Sequence, residues 1–184
     1  MNIGIDIRAL VEQHWTGVGE FTYEFLDELF KTDKKNQYFL FYNSYKDVDI
    51  PKWSGENIHI VRTRIPNKIF NILQLVFQFP KIDNIIKRKG KKIDYFLSMN
   101  LNFTALSKKC KHIQTIHDVS FEMYPKWFCL KRRLWHICVR PQKRCEQSEY
   151  IFVPSKHTKS DIEKVYNICG DKIQVLTPGL SKKI

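Results

Sequence analysis

The sequence predicts an α/β protein with a Rossmann-like open parallel sheet and helices on both faces. Short runs of β-branched and aromatic residues alternate with longer segments of helical apolar spacing along the 184 residues. The run at 37–42 is continuously apolar and aromatic, as in a buried strand. Strands and helices that alternate at this spacing favour parallel strands joined by helical crossovers.

The first half of the chain predicts strands at residues 3–7, 37–42, 57–63 and 93–97. From Val18 onward, apolar residues recur at helical spacing and predict a helix. Residues 67–89 predict a second helix, and Pro80 is expected to interrupt it because proline lacks a backbone N–H.

The second half predicts strands at 111–116, 151–153 and 172–176. Residues 130–147 predict a basic helix that bends at Pro141. Ser155 is a predicted N-cap, and the helix that follows it is expected to end at Cys169-Gly170.

Composition excludes several classes of protein. A hydrophobic fraction of 43% is too high for a disordered chain. No stretch approaches the roughly 18 apolar residues of a membrane-spanning helix, and the N-terminus reads as a strand and not as a secretory signal. With 31 Lys and Arg against 19 Asp and Glu, the net charge of +12 favours phosphate-bearing partners: nucleic acid, anionic lipid headgroups or nucleotide-linked substrates.

The five cysteines predict reduced thiols. They lie at positions 110, 129, 138, 145 and 169, without a CxxC pair or metal-ligand spacing. Cys138 and Cys145 are seven residues apart, so on one helix they would share a face and pack into the core. We therefore expect core cysteines and no metal site.

Polar residues follow several predicted strands, where ligands bind in open α/β sheets. Arg8 follows the first strand, and Gly17-Val18-Gly19 opens the first helix, where backbone N–H groups either approach an anion or form only a tight turn. His117-Asp118 follows the fifth strand and pairs a group that titrates near neutral pH with a carboxylate. The pair could form only a capped loop, but its position at the carboxyl end of a strand favours a functional role.

Aromatic residues and clustered cations predict a membrane-facing patch after residue 120. Such a pattern suits an anionic membrane surface, and it also suits a nucleic-acid backbone, although no nucleic-acid motif is present. Any single residue of the patch is more simply interpreted as part of a solvated helix face with aromatic anchors to the core. For the whole patch we favour the membrane surface and expect no nucleic-acid partner. The candidate residues are Trp127, Lys131, Arg132, Arg133, Trp135 and Arg140.

Four segments form an ordered series: Ile-Gly-Ile-Asp-Ile-Arg at 3–8, Thr-Gly-Val-Gly at 16–19, Thr-Ile-His-Asp-Val-Ser-Phe at 115–121, and Val-Pro-Ser-Lys-His-Thr-Lys-Ser-Asp at 153–161. Tyr-Pro-Lys-Trp-Phe at 124–128 and Thr-Pro-Gly at 177–179 complete the series. In this order and spacing, the segments resemble the N-terminal domain of family 4 (group 1) glycosyltransferases.

The resemblance implies the N-terminal, acceptor-binding half of a GT-B fold, as one domain over residues 1–184. It implies transfer of a hexose-type sugar from a nucleotide sugar, as co-substrate, to a saccharide or lipid-linked acceptor, without a metal or other cofactor. The protein is expected to be cytoplasmic and peripheral at the inner face of the plasma membrane. It is expected to act in cell-surface polysaccharide synthesis. The donor-binding domain is expected to be absent from this chain, which is then inactive alone.

The resemblance also assigns roles to individual residues. His117 would face the sugar and the acceptor hydroxyl, Asp118 would orient that loop, and Gly17, Val18 and Gly19 would lie by the donor phosphates. Glu20 replaces a basic residue of many relatives and would weaken that last contact. The acceptor-side candidates are Arg8, Asn100, Ser155 and Lys156.

A second hypothesis comes from a different class of protein. A Rossmann-like domain without a donor half could serve as a non-catalytic binding or scaffold module that needs a partner chain.

Overall fold

The computed structural model describes residues 1–12 and 14–179. The chain divides into two compact units. Unit 1 comprises Met1–Met99 and Phe103–Lys111, and unit 2 comprises Asn100–Asn102 and His112–Ile184. The interpretation of residues 1–184 as one acceptor-side domain stays a prediction.

Unit 1 is built on four parallel strands. They are β1 (Asn2–Asp6), β2 (Gln37–Asn43), β3 (Ile58–Thr63) and β4 (Tyr95–Ser98). Their order is β3-β2-β1-β4, and every neighbouring pair is parallel. Because both faces of β2 are covered, all its residues after Gln37 are buried.

The helices of unit 1 connect these strands. A 3-10 turn (Arg8–Leu10) and α1 (Gly17–Thr32) follow β1, and the predicted helix from Val18 is confirmed. The predicted interruption near Pro80 is also confirmed, because α2 (Asn67–Ile72) continues as a π-helical segment (Leu73–Phe77) and α3 (Ile82–Arg88) starts anew. The buried Gln74 side chain joins these parts by donating to Pro80 O at 2.7 Å and accepting from Ala105 N at 2.7 Å.

The core of unit 1 lies between β2, β1, β4 and the helices α2 and α3. Its buried members are Phe39, Phe41, Val61, Phe70, Ile82, Ile86, Ile93 and Phe96. Gly4 allows this packing, since a Cβ at that position would lie 2.7 Å from Phe96 Cδ2. Burial of each large apolar side chain stabilises the fold by roughly 1.5–3 kcal/mol.

Unit 2 contains three parallel strands, β5 (Lys111–Thr115), β6 (Tyr150–Val153) and β7 (Ile173–Val175), in sequential order. Its helices are α4 (Ser120–Met123), α5 (Leu130–Val139), α6 (Pro141–Gln147) and α7 (Lys156–Tyr166), with 3-10 turns at Pro125–Trp127 and Gly170–Lys172. The predicted α/β class with parallel strands is confirmed.

The break predicted at Pro141 occurs one residue earlier. Arg140 adopts φ 54° and ψ 65°, in the left-handed region, and separates α5 from α6. The physical reason is that a residue before proline is disfavoured in the right-handed helical region.

The predicted end of the last helix is wrong. The helix α7 ends at Tyr166, and Asn167 takes the left-handed cap at φ 53°. Asparagine tolerates this conformation better than most residues do, so the helix needs no glycine to end. Gly170 instead opens a 3-10 turn.

The expectation of core cysteines is wrong for three of the five. Only Cys145 is buried and Cys110 half-buried, whereas Cys129, Cys138 and Cys169 are exposed. Cys138 and Cys145 share no helix face, because the break at Arg140 places them on α5 and α6.

Candidate functional site

In unit 1, the end of β1 carries a buried ion pair. Arg8 Nη2 lies 2.5 Å from Asp6 Oδ2, and the two side chains are 9% and 6% exposed. Arg8 also donates to Phe103 O and to Thr104 Oγ1, each at 3.1 Å. This arrangement anchors the chain after β4 to the end of β1, and an acceptor role for Arg8 stays a prediction.

The glycine segment forms the first turn of α1. Thr16 is the extended N-cap residue, and Glu20 N donates to Thr16 O at 3.0 Å. A Cβ at Gly19 would lie 2.7 Å from Trp15 Cβ, whereas one at Gly17 would meet nothing within 4 Å. Gly19 is therefore required for packing and is buried, whereas Gly17 is exposed at the start of the first turn.

In unit 2, the loop after β5 holds the histidine and carboxylate pair. Asp118 Oδ1 accepts hydrogen bonds from Ser120 N at 2.9 Å and from Ser120 Oγ at 2.5 Å. These bonds fix the start of α4, so Asp118 shapes the loop that carries His117. His117 is half-buried, and Asp118 is exposed.

The loop after β6 meets the same histidine through its backbone. Ser155 caps α7 as predicted, since its Oγ accepts from Thr158 N at 3.0 Å. Thr158 Oγ1 in turn donates to His117 O at 3.5 Å. Unit 2 thus brings together two sequence-predicted candidates, His117 and Ser155, and Lys156 follows as the exposed first residue of α7.

Asn100 belongs to the short segment of unit 2 that precedes residue 103. Its carbonyl oxygen accepts from the buried Gln114 Nε2 at 3.1 Å, and its side chain accepts from Leu101 N at 2.8 Å. These bonds tie the loop to β5.

His136 is a second histidine of unit 2, which motif reasoning missed. Its ring stacks on that of Phe121 with centroids 3.8 Å apart and planes at 5°. Burial lowers the pKa of His136, and the nearby Asp118 carboxylate opposes that shift. The helical spacing of His136 and the buried Val139 is a signal that could have placed both on the packed face of α5.

The predicted membrane patch lies on and beside α5. Lys131, Arg132, Arg133 and Arg140 are exposed, whereas Trp135 is half-buried beside His136 at 4.9 Å. Trp127 is 76% exposed and stacks on Tyr124 at 4.4 Å.

The same helix directs apolar side chains away from the core. Leu130, Leu134 and Ile137, here called the α5 stripe, are 67%, 54% and 68% exposed. Their spacing of four and three residues places them on one helix face, opposite the buried Val139.

Unit 1 carries a further exposed apolar surface, which we call the α2 ridge. Sequence analysis placed its residues in an apolar helix, yet they are at least half exposed. Its members are Ile69, Ile72, Val76, Phe77 and Phe79. Residues 67–92, which contain the ridge, include seven Lys and Arg against one Asp.

Comparison with known proteins identifies the family. The chain matches Glycosyltransferase Family 4 over residues 15–182. It belongs to glycosyltransferase family 4. Among curated protein sequences, none matched the chain.

Solved structures share the fold of this family 4 chain. Two structures of the wall teichoic acid polymerase TagF superpose with TM-scores of 0.52 and 0.50, at 9% and 11% identity. In both cases the match covers 96% of this chain and 38% of the TagF chain. At such low identity the likeness concerns the fold alone, and this chain spans 38% of the length of those neighbours.

The described residues of the family 4 chain contain no cluster of three or more potential metal ligands. None of the helices in 1–12 and 14–179 is long and apolar enough to cross a membrane.

Proposed function

We propose that this chain is the acceptor-binding part of a glycosyltransferase that moves a hexose-type sugar from a nucleotide sugar to a saccharide or lipid-linked acceptor. The observation that carries this proposal is the family 4 match over residues 15–182. The placement of His117-Asp118 in the loop after β5 supports it, because ligands of open α/β sheets bind beyond the carboxyl ends of strands.

In this proposal His117 contacts the transferred sugar and the acceptor hydroxyl. Asp118 is a positioning residue, since its two hydrogen bonds with Ser120 shape the loop of His117. The backbone N–H groups at Gly17, Val18 and Gly19 offset charge on the leaving diphosphate, so the reaction needs no metal. A nucleotide-sugar-binding domain, on the same or another polypeptide, supplies the donor.

The proposal also places the protein at the cytoplasmic face of the plasma membrane, in polysaccharide synthesis. The α5 stripe supports this placement because it is apolar and exposed beside Lys131 and Arg133. Residues 123–145 contain seven Lys and Arg and no Asp or Glu. An apolar stripe flanked by cations binds anionic membrane surfaces by area burial and charge attraction.

The catalytic proposal is tested on the protein purified from its own cells, together with any bound partner chain. We expect it to transfer radiolabelled sugar from one of a panel of nucleotide sugars to a membrane extract. His117→Ala should lower the rate by about 100-fold or more. His157→Ala is the matched control, since that side chain is 87% exposed on α7, and it should leave the rate unchanged.

Two results would count against the catalytic proposal. One is equal rates for the His117 and His157 variants. The other is the absence of transfer by the purified protein with every donor, which would favour the non-catalytic binding module.

The membrane proposal is tested with a fluorophore on Cys138, which lies exposed on α5. Cys129→Ser and Cys169→Ser remove the other exposed thiols. Burial raises the pKa of the Cys110 and Cys145 thiols to about 12 each, so both stay unreactive near neutral pH.

We expect phosphatidylglycerol vesicles to shift the emission of the Cys138 probe to the blue, and neutral phosphatidylcholine vesicles to leave it unchanged. The matched control carries the probe on Cys169, with Cys129 and Cys138 replaced by serine, and should not respond. Equal responses from both probe positions would contradict the assignment of α5 as the membrane-facing element.

A further inference from the structure

A cavity of about 590 Å³ lies in unit 2, lined by residues of α4, α5 and α6 and of the turn at Pro125–Trp127. Phe121 and His136, stacked on each other, form part of its wall. The Nδ1 atom of His136 is buried and has no hydrogen-bond partner among the described residues.

Three cations line this cavity: Arg133, Arg140 and Lys143. All three are exposed, and within residues 1–12 and 14–179 none of them forms an ion pair or a side-chain hydrogen bond. Their charge is therefore available to a ligand.

The two carboxylates of the cavity are already engaged. Glu122 Oε1 accepts from Tyr166 Oη at 3.3 Å, and Glu146 Oε1 accepts from Gln142 Nε2 at 3.1 Å. Both donors are neutral, so the carboxylates keep their charge, and three cations against two carboxylates give the lining a net formal charge of +1.

The backbone of Arg140 adds an independent observation. At φ 54° a glycine would fit with less strain than an arginine, since a Cβ in the left-handed region costs on the order of 1 kcal/mol. The same conformation ends the π-helical segment at Gln78 and α7 at Asn167, so it marks a helix end and allows a glycine variant as a test.

The cavity also borders an apolar surface. Ile137 lines it, is 68% exposed and belongs to the α5 stripe. A ligand held by the three cations would thus have an apolar strip beside its anionic group.

We propose that this cavity binds a phosphate or diphosphate group through Arg133, Arg140 and Lys143. Guanidinium and ammonium groups form strong, charge-assisted hydrogen bonds with phosphate oxygens. The identification of this group as one carried by the acceptor rests on the proposed function. The phosphate binding itself does not depend on it.

The test is binding to the full chain, measured by calorimetry with two probes: inorganic pyrophosphate and farnesyl diphosphate. Arg140→Gly should weaken both by about tenfold or more, the loss of one charge-assisted hydrogen bond. Its melting temperature should stay equal or rise, because the strain at this position is relieved. Lys164→Gln is the matched control: it removes one positive charge from an exposed position of α7 outside the cavity lining and should leave binding unchanged.

The two probes distinguish the sources of the phosphate. If farnesyl diphosphate binds about tenfold more tightly than pyrophosphate, and Ile137→Ser removes that difference in affinity, the phosphate group is carried by a lipid. Equal affinities, with the same dependence on Arg140, identify a soluble phosphate. Absence of saturable binding by either probe, or equal weakening by Arg140→Gly and Lys164→Gln, overturns the proposal.

This measurement involves no donor and no transfer. Transfer without phosphate binding would overturn the cavity assignment and leave the proposed function standing. Phosphate binding without transfer would overturn the proposed function and leave the cavity assignment standing.

Discussion

Two arginines, Arg8 in unit 1 and Arg140 in unit 2, stand in opposite situations. Arg8 is 9% exposed, and its guanidinium donates to a carboxylate, a carbonyl and a hydroxyl. Arg140 is exposed, lies in a strained backbone conformation and has no side-chain partner among the residues described. Both follow the end of a regular element and carry the same charge. Burial and pairing make the first a structural anchor and leave the second available to a ligand.

The same contrast separates other regions of the molecule. In unit 1, Phe70 is 1% exposed and lies 5.8 Å from the Arg8 guanidinium, within the core. In unit 2, the α5 stripe is apolar and exposed, so its side chains add little to stability. Stability and surface chemistry are thus assigned to different residues, which single substitutions can separate.

The largest effect is expected for Arg8→Ala. The substitution leaves the Asp6 carboxylate buried without its partner, which costs about 3–5 kcal/mol of the free energy of unfolding. Urea unfolding followed by circular dichroism measures the loss. Arg64→Ala is the control, because its pair with Asp47 is exposed and contributes at most about 1 kcal/mol. A loss below 1 kcal/mol for Arg8→Ala would refute the anchor role.

An intermediate effect is expected from pH through His112. Burial lowers the pKa of His112 from 6.5 to about 3, and its Nδ1 lies 3.1 Å from Ser148 Oγ. Below pH 6.5 this histidine is protonated in the unfolded chain but stays neutral in the folded chain. This contribution to stability is therefore complete above pH 6.5 and is lost as the pH falls towards 3, by up to about 1.4 kcal/mol per pH unit.

The measurement compares the urea unfolding free energies of the wild type and His112→Asn between pH 7 and pH 4. Their difference should shrink as the pH falls, because only the wild type has this titration. A difference that is constant over the range would show that burial of His112 does not lower its pKa.

The smallest effect is expected for Leu134→Ser on the α5 stripe. The side chain is 54% exposed, so the free energy of unfolding should change by no more than about 0.5 kcal/mol. Val139→Ser on the buried face of the same helix should cost several times more. Equal losses for both variants would show that the stripe packs against the protein and is unavailable to a membrane.

Much of the fold could be predicted because its signals are local. The alternation of apolar strands with amphipathic helices, the N-cap at Ser155 and the breaks near Pro80 and Pro141 depend on residues close in sequence. The end of α7 could not be placed, because Asn167 and Gly170 are both suitable caps and the local sequence does not distinguish them.

The candidate site was predictable in part. The motif at His117-Asp118 and the family itself followed from residue types and their order, and the family is confirmed. The stacking of His136 on Phe121 joins residues 15 positions apart on different helices, and no local pattern indicates that contact.

Residue types and their periodicity alone establish the α/β class, the parallel strands, the family and the excess of positive charge, because each depends on composition or short-range order. Only the three-dimensional contacts distinguish a buried arginine from an available one. Arg8 acquires partners 95 and 96 positions away, whereas the break at Arg140 leaves that side chain exposed beside a cavity. The physical reason is that burial and pairing depend on long-range packing. The spacing of residues along a chain does not predict that packing.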